Sequence, residues 1–167
     1  MPFAASENTP VWDDHDWTHL PTLHGDVEAD VCVVGLGGSG LTAVGELLRR
    51  GARVVGIDAG VVAAGAAGRN GGFLLAGTYD FYHDAVERHG RERARHIYRL
   101  TMDEVRRIAD EAPEAVRITG SLRVADTANE ADDCRRQLDA LRADGLPAEW
   151  YEGPEGHGLL MPTDGAF

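Results

Sequence analysis

The chain has 167 residues, 43% hydrophobic and 26% charged, a composition that suits a folded domain with a core rather than a disordered segment. Its formal net charge of −12 repels phosphate, so no nucleic-acid partner is expected. All 16 cationic side chains are arginines, which excludes a Schiff-base lysine and a G-K-S/T nucleotide loop.

Residues 1–26 are polar, with Trp12, His15, Trp17, His19 and His24 among acids and prolines, and read as an extended arm laid over the domain. This start lacks the basic and apolar regions of a signal peptide. No apolar run is long enough to cross a bilayer, so no membrane partner and a cytoplasmic setting are expected. Cys32 and Cys134 are far apart in sequence and suggest neither a disulfide framework nor a zinc site. Cys32 lies in an apolar run and is expected to be a small buried hydrophobe.

A first parallel strand is predicted over Ala29–Val34, ending in Gly35-Leu36-Gly37-Gly38-Ser39-Gly40. Leu41, Val44, Leu47 and Leu48 then recur at helical spacing, and Arg49-Arg50-Gly51 closes the helix with basic charge and a glycine. A second strand follows at Arg53–Asp58. The stretch Ala59–Gly72 is dominated by glycine and alanine and reads as backbone packed closely against something else. Helices are expected over Tyr79–His89 and, after Gly90, over Arg91–Glu111, where Ile97, Leu100, Val105 and Ile108 form the apolar face and Pro113 stops the helix. Val116–Ala125 reads as a strand, Asn129–Ala143 as an amphipathic helix and Ala148–Tyr151 as a short strand. The tail from Gly156 to Phe167 carries turn residues. The expected class is α/β. Four parts are expected: an arm (1–26), a βαβ unit with its glycine-rich loop (27–78), a helical segment (79–115), and the start of an α+β domain (116–167).

Gly35, Gly37 and Gly40 fit G-x-G-x-x-G between a strand and a helix. The first glycine permits a tight turn, the second lets a diphosphate approach the backbone, and the third lets helix and strand pack closely. Gly38 and Ser39 add backbone donors at the helix N-terminus, whose dipole favours an anion. Asp58 closes the second strand roughly 20 residues on, where an acid accepts hydrogen bonds from both ribose hydroxyls and repels a 2′-phosphate. FAD or NAD is therefore expected before NADP. The bland alternative is a glycine turn in an unrelated α/β domain, with Asp58 a turn cap.

Gly65-Ala66-Ala67-Gly68-Arg69-Asn70-Gly71-Gly72 resembles the G-A-S-G-R-N-G-G signature of the D-amino-acid oxidase-like (DAO) family of FAD-dependent oxidoreductases, which includes glycine, sarcosine and γ-glutamylputrescine oxidases. Ala67 stands where serine is more usual, and Asp58 where glutamate is more usual. Thr119–Ala125 also resembles a strand of that family's substrate domain. The resemblance implies FAD as cofactor, its diphosphate on Gly35, Gly37, Gly38, Ser39 and Gly40. It implies the adenosine ribose on Asp58 beside Ala59, and Arg69, Asn70, Gly71 and Gly72 along the flavin side. It implies oxidation of an amine or amino acid to an imine by hydride transfer to the flavin. The simpler reading of Arg69 and Asn70 is a helix cap or a surface ion pair.

Members of that family are about twice this length, so a truncated protein is expected, completed by a missing C-terminal half or a second chain and inactive alone. No catalytic residue can be assigned in this chain, and no metal site is expected. His83, His89 and His96 lack ligand spacing, and Tyr79, Phe81 and Tyr82 read as core packing before flavin or substrate lining. Two rivals stand beside this reading. An NAD-dependent dehydrogenase half shares the βαβ unit but leaves Gly65–Gly72 without a role. A non-catalytic nucleotide-binding fragment or subunit fits the shortness of the chain.

Overall fold

The computed structural model describes residues 20–167, so Trp12, His15, Trp17 and His19 of the expected arm lie outside the described residues. The described residues form two compact units, which divide between Gly71 and Gly72.

In the first unit, β1 (Val31–Val34) pairs in parallel with β2 (Val54–Ile57), with Val31 opposite Val54 and Val34 opposite Ile57. The crossover is α1 (Gly38–Arg49), which packs on both strands. Glu46 braces its last turn through Arg49 and Arg50, at 2.9 and 2.6 Å. Asp30 ties the start of β1 to Arg53, accepting from its backbone N–H at 2.8 Å and its guanidinium at 3.0 Å. A two-stranded sheet with a single helix upon it leaves alternate residues bare. Cys32 is exposed, not buried as its apolar run suggests, because β1 alternates half-buried Val31 and Val33 with exposed Cys32 and Val34. Beyond β2 the chain turns back: the Ala63 N–H donates to the Leu36 carbonyl at 3.0 Å, before a short 3-10 turn at Ala66–Gly68.

In the second unit, β3 (Phe73–Leu74) is followed by α2 (Tyr82–His89) and α3 (Arg91–Glu111). Next come β4 (Ser121–Val124), α4 (Ala128–Ala143), β5 (Glu149–Gly153), β6 (Gly156–Met161) and β7 (Gly165–Ala166). β6 lies between β4 and β5 in an antiparallel sheet, and β7 pairs with β3. The tail is thus not turns alone. It supplies the central strand, whose Leu159 and Met161 enter the core. The expected strand Val116–Ala125 is interrupted: Arg117 makes an isolated bridge to Ala166, and ladder pairing starts only at Ser121.

The core of this unit gathers Tyr82, Ala85, Tyr98, Cys134, Leu141 and Leu159. The buried face of α3 is Ala94, Tyr98 and Val105, while Leu100 is exposed, which corrects the apolar stripe expected there. The stripe uses a small and an aromatic residue at i, i+4 spacing, which a search for aliphatics alone passes over. α4 begins with a capping box. The Glu130 N–H donates to Thr127 Oγ1 at 3.2 Å and the Thr127 N–H donates to the Glu130 carboxylate at 3.0 Å.

Candidate functional site

Gly35 leaves β1 with φ +92°, a backbone that side chains with a Cβ adopt rarely. The chain then reverses into α1, with extended Gly37 at the N-cap. Gly40 lies so close to this turn that a Cβ on it would stand 1.8 Å from the Gly35 carbonyl oxygen. At Gly37 and Gly38, by contrast, a Cβ would meet nothing within 4 Å. The backbone is crowded on the strand side and open on the other.

The first turn of α1 carries neither an acidic side chain nor a side-chain cap. The N–H groups of Gly38, Ser39 and Gly40 lack an intrahelical acceptor, as any helix start does, and no other acceptor meets them among the described residues. Open space, unspent donors and a positive dipole end together fit a diphosphate.

Asp58, just beyond β2, turns its carboxylate back to this loop. One oxygen accepts the Leu36 N–H at 2.7 Å and the other the Gly60 N–H at 2.9 Å. These backbone bonds hold its pKa below the usual carboxylate range, the Leu36 bond contributing most. The aspartate therefore ties the glycine turn to the end of β2 as an anion, with lone pairs still available to hydroxyl donors. Ala59 follows it, exposed. Gly35, Gly37, Gly38, Ser39, Gly40, Asp58 and Ala59 thus meet at the C-terminal ends of two parallel strands, the usual ligand crevice of such a unit. An open cleft of about 1060 Å³ borders this end of β2, with Leu36 and Asp58 in its lining.

The second glycine cluster is arranged differently. Arg69 caps the 3-10 turn and is exposed, with no partner for its guanidinium among the described residues. The Asn70 side-chain amide donates to the Ala67 carbonyl at 2.6 Å, so it takes up the capping geometry of the simpler reading. Gly71 ends the first unit. Gly72, in the second, has φ +73° and accepts the Phe167 N–H at 2.9 Å.

Of the aromatics after the cluster, Tyr82 is wholly buried and Tyr79 wholly exposed, while Phe81 lies under the Arg123 guanidinium, 3.5 Å from the ring centre. Tyr82 donates to Asp144 at 2.6 Å, and Arg91 donates to the same carboxylate at 2.5 Å. Burial, then the hydrogen bond to Asp144, pushes the Tyr82 phenol well above its usual range. Burial alone would raise Asp144, but the Tyr82 and Arg91 bonds outweigh it and lower its pKa. His83 is mostly buried, with Nε2 at 3.3 Å from both Asp84 and Asp133. Among the described residues no three histidine, cysteine or acidic side chains are grouped to hold a metal, and no helix is long and apolar enough to cross a membrane.

The missed features are mostly structural. The capping box was readable as Thr127-x-x-Glu130. The buried Asp164, which accepts from Ser121 Oγ at 2.5 Å and Ala76 N–H at 3.0 Å, had no signal in the sequence.

The chain is 40% identical over 94 residues to gamma-glutamylputrescine oxidoreductase of Escherichia coli, covering 56% of this chain and 20% of that protein. Its fold is similar to that of L-amino acid deaminase from Proteus vulgaris, with TM-score 0.62 and 19% identity over 89% of this chain and 41% of that one. It is also similar to that of glycine oxidase from Geobacillus kaustophilus, with TM-score 0.57 and 24% identity over 83% of this chain and 40% of that one. The chain spans 20% to 29% of the length of the curated relatives it matches. Residues 30–167 match the DAO family, the FAD dependent oxidoreductases, and the chain belongs to that family.

Proposed function

We propose that this chain provides the adenosine-diphosphate cradle of an FAD-dependent oxidoreductase that acts on an amine or amino acid. One observation carries the reading: Asp58 is bonded to Leu36 inside the glycine turn, which aligns a sugar-binding carboxylate with an uncapped helix N-terminus. In this arrangement the N–H groups of Gly38, Ser39 and Gly40 hold the diphosphate, and Asp58 accepts from the ribose hydroxyls. Gly37 keeps the approach clear. Arg69, Asn70, Gly71 and Gly72 follow along the flavin side, where the exposed Arg69 guanidinium offsets negative charge. When bound, the flavin supplies a hydride acceptor for the carbon next to the substrate nitrogen. The substrate class rests on the names of the relatives, a gamma-glutamylputrescine oxidoreductase, an amino acid deaminase and a glycine oxidase.

The test is cofactor retention. The chain is mixed with FAD, passed through gel filtration, and its visible spectrum recorded. Flavin bands that travel with a compact protein peak support the reading. A colourless compact peak, or preferential retention of NAD, overturns it.

A further inference from the structure

The segment that leads into β1 is an unusual surface. Leu20 and Leu23 remain 65% and 53% exposed, with Pro21 between them and no regular secondary structure from Leu20 to His24. Two leucines are costly to display on a short extended segment unless something apolar covers them. The same stretch lines the cleft beside Asp58. Val61, Val62 and the buried Leu36 line the same cleft.

We infer that Leu20–His24 forms one wall of the nucleoside site and covers the adenine ring. This rests on the FAD reading above. Its direction follows from the ends of the site. Phosphates belong at the start of α1, and Asp58 repels them while accepting hydroxyl donors. The group lying past Asp58 is therefore the base. A purine has two apolar faces and a polar edge. Leu23 and Pro21 offer an apolar surface for one face and Val61 with Val62 a surface for the other. His24 brings a ring nitrogen within the same lining for the edge. The volume of about 1060 Å³ is ample for a purine ring beside Leu20–His24.

The chain is titrated calorimetrically with FAD, with ADP and with inorganic pyrophosphate, and compared with the double variant Leu20→Ser, Leu23→Ser. Both leucines are exposed by half or more, so thermal melting of the variant should match that of the parent. Affinity for FAD and for ADP should fall by the same factor, about tenfold, while pyrophosphate binding is unchanged. In the parent chain, ADP should also slow amide hydrogen exchange over residues 20–24, a readout that needs no variant. Undiminished ADP affinity in the variant, or unchanged exchange over 20–24 with ADP bound, overturns the inference while leaving the FAD reading intact. That outcome would mean another stretch of polypeptide occupies the cleft. A parent chain that binds neither FAD nor ADP overturns both.

Discussion

Gly37 and Gly40 stand in one motif yet do opposite things, and substitution separates them. A methyl group on Gly40 would lie 1.8 Å from a backbone oxygen that cannot rotate away. Gly40→Ala should therefore destabilise the first unit by about 3 kcal/mol or more in urea unfolding, at the upper end of overpacking costs. Gly37 has an ordinary φ of −79° and open space where a Cβ would go. Gly37→Ala should leave the unfolding midpoint almost unchanged and yet lower FAD retention, because its methyl occupies the space of the diphosphate. Equal loss of stability in both variants would contradict this division. Asp58 adds a dependence on pH. Its backbone bonds favour the charged form, so the stability it contributes is complete above the usual carboxylate pKa, about 3.9. It is lost as pH falls through the lowered value. Asp58→Asn should flatten part of the acid limb in a plot of melting temperature against pH, and an unaltered limb would show that the carboxylate carries no such linkage.

Among the elements, the βαβ unit was the most legible part of the chain, since strand, glycine turn, helix and acid form one continuous pattern. The boundary of α3 was equally plain, with Gly90 before it and Pro113 just beyond its end. Its buried face was not, because Tyr98 earns its place through a ring contact with Tyr82, 4.7 Å between centres, rather than through aliphatic spacing. β6 went unread for a related reason. Gly156-His157-Gly158 looks like a turn, but Gly158 faces the β4 backbone so closely that a Cβ would stand 1.9 Å from the Arg123 carbonyl oxygen. Close strand approach, not turn geometry, accounts for that glycine. Partners distant in sequence also stayed hidden, and the Tyr82–Asp144 bond between α2 and the end of α4 is the sharpest case. Tyr82→Phe leaves the ring in place but strips a buried carboxylate of one donor. It should cost about 1.5–3 kcal/mol in chemical denaturation, the range for hydrogen bonds to a charged group. A change below about 0.5 kcal/mol would mean that Arg91 alone satisfies Asp144.

At the scale of the molecule, the features that drew the eye in the sequence fall in the unit with the least buried surface. Among the described residues of the first unit, Leu36 alone of the hydrophobic side chains is buried, whereas the second unit has a connected core. A two-stranded sheet with one covering helix supplies too little apolar contact to enclose its own strands. Cys32 and Val34 point from the same face of β1, two residues apart, and Val34 is 77% exposed. Cys134, on α4, is completely buried, and its burial pushes the thiol pKa up. The two thiols therefore report on the two units separately. An aromatic disulfide reagent should modify Cys32 promptly in the native chain and reach Cys134 only when the second unit unfolds, giving one fast thiol without denaturant and two with it. Val34→Arg should change stability by no more than about 0.5 kcal/mol, as expected at an exposed site. Slow modification of Cys32 in the native chain would instead mean that this face of β1 is covered, by a second copy or by further polypeptide. The concentration dependence of that protection would distinguish the two, because a second copy dissociates on dilution and a covalently joined segment does not.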